Sequence, residues 1–125
     1  MDRVDAMVRQ IVERGGSAIA VSIDVADRTS IGPAFDAAGA AFGPVTILVD
    51  NAGVGAGMGV LETDEAVWDE LQRGNVDGPW FEGQEAARRM VVHAIEGTII
   101  DISSILGYRI KNATAYSVSR LPLLI

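Results

Sequence analysis

The sequence predicts an α/β domain built on a parallel sheet with helices on both faces. Three observations carry that expectation. Short apolar runs without polar alternation occur at 18–23, 45–49 and 97–102, as in strands buried on both sides. Between them apolar residues recur every three or four positions, the period of a helix. Helices and strands alternate along the chain, which is the pattern of parallel strands joined by helical crossovers.

Each element has a local reason. Val4, Met7, Val8, Ile11 and Val12 keep helical spacing, and Gly15-Gly16 ends that pattern as a helix C-terminus does. Ala18 to Ile23 reads as a buried strand that stops at Asp24. Asp27 is placed to cap the next helix, whose inner face is Ile31, Phe35, Ala38 and Phe42. Pro33 requires that helix to start near Thr29 or Ser30, because a proline deeper inside removes a hydrogen bond. Gly43-Pro44 breaks the chain before a second strand, Val45 to Val49. After a glycine-rich loop, Thr63 or Asp64 caps a long helix carrying Val67, Trp68, Leu71 and, farther on, Met90 to Val92. Gly97 to Ile102 is the third strand, and a last helix opens around Asn112 to Thr114.

The bulk numbers narrow the function classes. The 125 residues suit one domain, and the 49 % that are hydrophobic suffice for a real core. A net charge of −7 argues against a nucleic-acid partner, since phosphate contacts need clustered Lys and Arg. With no cysteine there are no disulfides and no thiolate metal sites, as suits a cytoplasmic protein. Met1-Asp2-Arg3-Val4-Asp5 lacks the apolar centre of a signal peptide, and no apolar stretch reaches membrane-spanning length.

Chemistry concentrates late in the chain. Tyr116 and Arg120 are four residues apart, so on a helix a phenol and a permanent cation share one face. A positive neighbour favours the phenolate of a group whose reference pKa is about 10, which is how a tyrosine becomes an acid/base. Alone, such a pair is usually a surface helix contact, and the surrounding chain is what raises it to a candidate. Ser103 and Ser104 follow the third strand and can bring a hydroxyl to the same point. Within the long helix, the carbonyl of Asn75 should accept from residue 79, but Pro79 has no N–H. That carbonyl is left free for water, or the helix simply kinks there.

Taken in order, Asp24, Asp50-Asn51-Ala52-Gly53, Asn75, Ser104 and Tyr116-x-x-x-Arg120 resemble the short-chain dehydrogenases/reductases over nearly the whole chain. The resemblance implies a partial doubly wound Rossmann-like parallel sheet, with three visible strands and flanking helices, as a single incomplete domain over 1–125. It implies NAD or NADP as cofactor and a small-molecule alcohol or ketone as substrate, with hydride passing between a secondary alcohol and a ketone. Tyr116 would be the general acid/base and Ser104 would hold the substrate oxygen, with Ser103 the second candidate. Asn75 would bind a relay water, and Arg120 stands where the family has a lysine that binds the nicotinamide ribose. Arg is a planar fork where Lys is a point charge, so weaker ribose contact and lower turnover are expected.

Asp24, Val25, Asn51, Ala52 and Gly53 would contact the cofactor, although Asp24 can equally cap its own turn. Asp50 replaces the family's asparagine and, as a carboxylate, cannot donate. The glycines up to Gly59 are no phosphate cradle, because Met58 and Val60 stand where Gly-x-Gly-x-x-Gly needs glycine. The family's first two strands and its phosphate turn are expected before Met1, and its later strands and lid after Ile125. The strand at Ala18 to Ile23 would then lack its native neighbours. A homo-oligomer through the helices at 62–92 and from 112 onward is expected, and the alternative is a non-catalytic scaffold or oligomerisation module. His93 has no partner motif and belongs at the surface or a helix end. Trp68 and Trp80 are expected in the core or at a subunit contact, and Arg88 and Arg89 on a solvated face.

Overall fold

A computed structural model describes residues 3–55, 57–107 and 114–120. Helix α1 (Arg3–Glu13) closes as its glycines require. Gly15 takes φ +83°, and the amides of Gly15 and Gly16 bond back to the carbonyls of Val12 and Ile11. Its apolar residues Val4, Met7, Ile11 and Val12 are exposed. Ala18 to Ile23, expected as a strand, joins no sheet. A strand is completed by a neighbour's hydrogen bonds, and none of the described residues supplies them.

Asp27 caps helix α2 (Arg28–Phe42), its carboxylate accepting from the Thr29 amide and hydroxyl. Those bonds hold its carboxyl below the ordinary value. The helix starts one residue earlier than expected, so Pro33 lies inside it and leaves the Thr29 carbonyl without its helical partner. Gly43, at φ +85°, ends α2 and bonds back to Gly39.

Strands β1 (Ile47–Asp50) and β2 (Thr98–Asp101) pair in parallel, with Ile47 opposite Thr98 and Asp50 opposite Asp101. Their crossover contains α3 (Glu65–Gln72), a wide π turn at Arg73–Asp77, and α4 (Gly78–Val92). Asp64 caps α3 by accepting from the Val67 amide. The core lies between α2, α4 and one face of the sheet: Ile31, Phe35, Ala86 and Met90, joined by Val45, Leu48, Phe81 and Ile95. The other face is open, with Ile47 63 % and Val49 53 % exposed, so the described helices cover one side rather than the two expected.

Other expectations need correction. Trp68 and Trp80 are exposed, which removes the core placement and leaves the subunit contact as the expectation. Arg89 is no solvated residue, because it pairs with Asp36 at 2.8 Å and Glu85 at 2.7 Å and lies against the Phe35 ring. His93 is exposed at the end of α4, as expected. Of the last helix, α5 (Thr114–Arg120) is described; its opening at 112–113 and the tail at 121–125 lie outside the described residues. No helix among the described residues is long and apolar enough to cross a membrane.

One position just past α4 is strained. Ala94 has φ 51°, the left-handed region that favours glycine, where its amide bonds back to Val91 and that of Ile95 to Met90. Ala94→Gly is expected to raise stability by about 1 kcal/mol, seen as a rise of roughly 4 °C in Tm by calorimetry.

Candidate active site at the strand ends

Both strands stop at the same edge, and ligands of open α/β sheets bind beyond the carboxyl ends of the strands. Here the loop after β1 (51–54) and the segment after β2 (102–104) meet the π turn and α5. Asn75 ties them together. Pro79 denies its carbonyl the usual α-helical partner, and the chain answers with a wide turn in which the Gly78 amide bonds to the Arg73 carbonyl. The Asn75 side chain is fully buried. Its Oδ1 accepts from the Val54 amide at 2.9 Å, and its Nδ2 donates to the Val54 carbonyl and to Ser119 Oγ, each at 2.9 Å. Ser119 in turn donates to the Tyr116 carbonyl at 2.9 Å, so one amide joins the β1 loop to α5.

Gly53 is glycine for a steric reason. A β-carbon there would collide with Arg120 Nη2 and lie 2.9 Å from Asn75 Oδ1. The outer side of Asn51-Ala52-Gly53 is exposed and bears no bulky side chain, so a planar ligand can lie close to its backbone. Arg120 is buried with its Cζ 5.5 Å from the Tyr116 ring centroid, and Nη1 donates to the Ile102 carbonyl at 3.4 Å. The phenol and the cation therefore share a face, as the spacing predicts.

The two serines divide their roles. Ser103 Oγ donates to the Arg120 carbonyl at 2.9 Å and so ties down the end of α5. Ser104 Oγ accepts from the Leu106 amide at 3.2 Å, and its own proton has no acceptor among the described residues. Ser104 is thus the serine with a hydroxyl proton to offer.

Asp24 is held by local bonds. Its Oδ1 accepts from the Ala26 amide at 3.0 Å, the local turn that its residue type favours. Ser30 Oγ accepts from its amide and donates to its carbonyl. Val25 packs on the crossover, where a β-carbon at Gly78 would come within 3.0 Å of the Val25 Cβ.

Asp50 departs most from expectation. Its side chain is 5 % exposed, and Oδ2 meets no donor. Burial and the carboxylates of Glu82 and Asp101 push its pKa from 3.8 to about 8. Glu82, also buried, is raised by desolvation. Two buried carboxylates side by side cannot both ionise at neutral pH, so they share a proton. Asp50 can therefore donate, contrary to the expectation of an acceptor only, and the shared proton supplies the donor that Oδ2 lacks.

Sequence reasoning missed Ser119 and Glu82. A signal existed for Glu82, which lies two helical turns beyond Asn75 and so on its buried face. Ser119, forty-four positions from Asn75, announces itself only as a polar residue between Tyr116 and Arg120.

The family model described as short chain dehydrogenase matches residues 1–122. An L-rhamnose 1-dehydrogenase (NAD(P)(+)) of Azotobacter vinelandii is 38 % identical over 80 % of this chain and 39 % of its own length. A galactitol 2-dehydrogenase (L-tagatose-forming) of Cereibacter sphaeroides is 34 % identical over 96 % of this chain and 48 % of its own. Among solved structures, a metagenomic short-chain oxidoreductase in complex with NADP superposes with a TM-score of 0.86 at 32 % identity, covering 96 % of this chain and 55 % of that one. A mutant short-chain dehydrogenase/reductase of Serratia marcescens gives a TM-score of 0.88 at 32 % identity, covering 98 % of this chain and 49 % of that one. The chain spans about half the length of the curated relatives it matches, or less.

Proposed function

Since the chain belongs to the short-chain dehydrogenase family, we propose that it carries the proton-handling centre of an NAD(P)-dependent oxidoreductase acting between a secondary alcohol and a ketone. The observation that supports this most is the convergence of Tyr116, Arg120, Asn75 and Gly53 through short contacts at one sheet edge. When bound, the nicotinamide supplies the hydride acceptor or donor. Asn51, Ala52 and Gly53 present the open backbone against which it would lie, and Asp24 and Val25 would meet its adenine end. Tyr116 takes the alcohol proton in oxidation and returns it in reduction. Ser104 donates to the substrate oxygen and holds it beside the phenol. The freed Asn75 carbonyl holds a water that passes the proton to solvent. Arg120 provides the positive charge of the site. The single domain is read as cytoplasmic.

Titration with NADH and NADPH, followed by cofactor fluorescence, tests the reading; absence of saturable binding would sink it for this chain. With binding in hand, Tyr116→Phe should lower turnover at least about 100-fold, and Arg120→Lys should raise it. An unchanged rate in the phenylalanine variant removes Tyr116 from the mechanism.

A second reading, a non-catalytic scaffold that self-associates through its long helices, is favoured by Trp68, Trp80, Val91 and Val92, which leave apolar surface on α3 and α4 exposed. Sedimentation as a dimer without cofactor binding would select it.

A further inference from the structure

A cavity of about 280 Å³ opens where the strands begin, at the edge away from the candidate active site. Helix α2 ends at Phe42, α4 ends at Val92 and β1 starts at Ile47, so the two helix ends meet there. Its lining includes Phe35, Asp36, Gly39, Pro44, Val45 and Arg89. A cofactor and substrate of the proposed reaction would sit beyond the other ends of the strands. The cavity therefore serves neither.

Arg89 sets the charge of this place. Each nitrogen of its guanidinium already meets an acceptor: Nε meets Glu85 at 2.7 Å, Nη1 meets Asp36 at 2.8 Å, and Nη2 donates to the Gly32 carbonyl at 3.3 Å. One engaged cation thus stands against two carboxylates, and the balance is negative. Asp36 is the open one of the two. Its side chain is 72 % exposed, and a carboxylate can accept from more donors than Nη1 alone. The last turn of α2 carries no basic residue, so the negative end of that helix has no cation of its own. His93 also lines the cavity, and a neutral imidazole adds an acceptor. An incoming anion would be repelled by this set, and an incoming cation attracted.

The walls favour an apolar body. Phe35 belongs to the core and Val45 packs against it, and Pro44 adds a ring at the turn. Gly39 leaves its side of the cavity open, since a β-carbon there would meet nothing within 4 Å. Ligand sites usually start near about 300 Å³, so the space suits one ring or a short chain.

We propose that this cavity binds a small organic ammonium ion, its charge paired with Asp36 and its apolar body laid along Phe35, Pro44 and Val45. The site is independent of the dehydrogenase reading.

Titration calorimetry on the whole chain tests it with one ring in three charge states: benzylammonium chloride, benzyl alcohol and sodium benzoate, at matched ionic strength. Benzylammonium should bind saturably at one site, and benzoate should not. Benzyl alcohol should bind about fivefold more weakly, the upper end of what one exposed ion pair supplies. Asp36→Asn should weaken benzylammonium by about the same factor, while Arg89 keeps Glu85. Gly39→Leu should abolish binding by filling the cavity, without lowering Tm, because leucine suits a helix better than glycine. No saturable binding of benzylammonium, or unchanged binding in a folded Gly39→Leu variant, overturns the site. Benzyl alcohol or benzoate binding as tightly as benzylammonium overturns the choice of a cation.

Discussion

Asp50→Asn is expected to be more stable than wild type at pH 9 by about 3 kcal/mol, with the difference narrowing as pH falls and closing by about pH 4. Asp50 holds its proton up to about pH 8 in the folded chain, against 3.8 for an ordinary aspartate. Between those values the folded state binds more protons than the unfolded one, so stability falls as pH rises. The contribution is complete below about pH 4 and lost through about pH 8. At 1.36 kcal/mol per unit the full shift gives an upper bound of about 6 kcal/mol, and sharing the proton with Glu82 lowers it to about 3. An asparagine keeps the shape and donates without titrating. Urea denaturation of both proteins from pH 5 to pH 9 measures the difference, and an Asp50→Asn gap independent of pH would show that the carboxyl is ionised throughout.

Removing the Asn75 amide should be as severe. Asn75→Ala deletes three hydrogen bonds, the one to Ser119 buried and the two to Val54 partly so, at a cost of about 3 kcal/mol, or a fall of roughly 10 °C in Tm. The loss should be local as well as global. The amide of Val54 should exchange with deuterium much faster than those of α4, because the clasp holds the loop and the core holds the helix. A cost below about 1 kcal/mol would mean that Gly53 and Val54 keep their place by packing on Arg120 and Gly74 alone.

Much of this architecture is legible locally. Asp27 and Asp64 cap because a short carboxylate before an apolar helical face has little else to do, and Gly15 and Gly43 mark stops that need positive φ. The break at Asn75 follows from one missing N–H on Pro79. What escapes the sequence depends on neighbours. Ala18 to Ile23 has a strand's composition, but a ladder is a property of two segments, and composition describes one. The proton on Asp50 follows only once Glu82 and Asp101 are known to stand beside it. Arg120 reads as an exposed helix residue until Gly53 and Ile102 close over it. The site's residue types could be named in advance; their burial, which sets their chemistry, could not.

The wide turn in the crossover has a geometric consequence of its own. On an uninterrupted α-helix of 3.6 residues per turn, Leu71 and Met90 would stand about 100° out of phase. The π turn takes up one extra residue and brings them back onto one side. A single buried stripe then runs from Leu71 through Asn75, Pro79, Glu82 and Ala86 to Met90. The stripe is apolar at its ends and polar in the middle, level with the ends of the strands. Deleting one residue from the turn would leave a continuous α-helix with Leu71 and Met90 still on one side, and only the wide turn would be lost. The turn set where Pro79 denies Asn75 its α-helical partner therefore lets one helix serve the core and the site together.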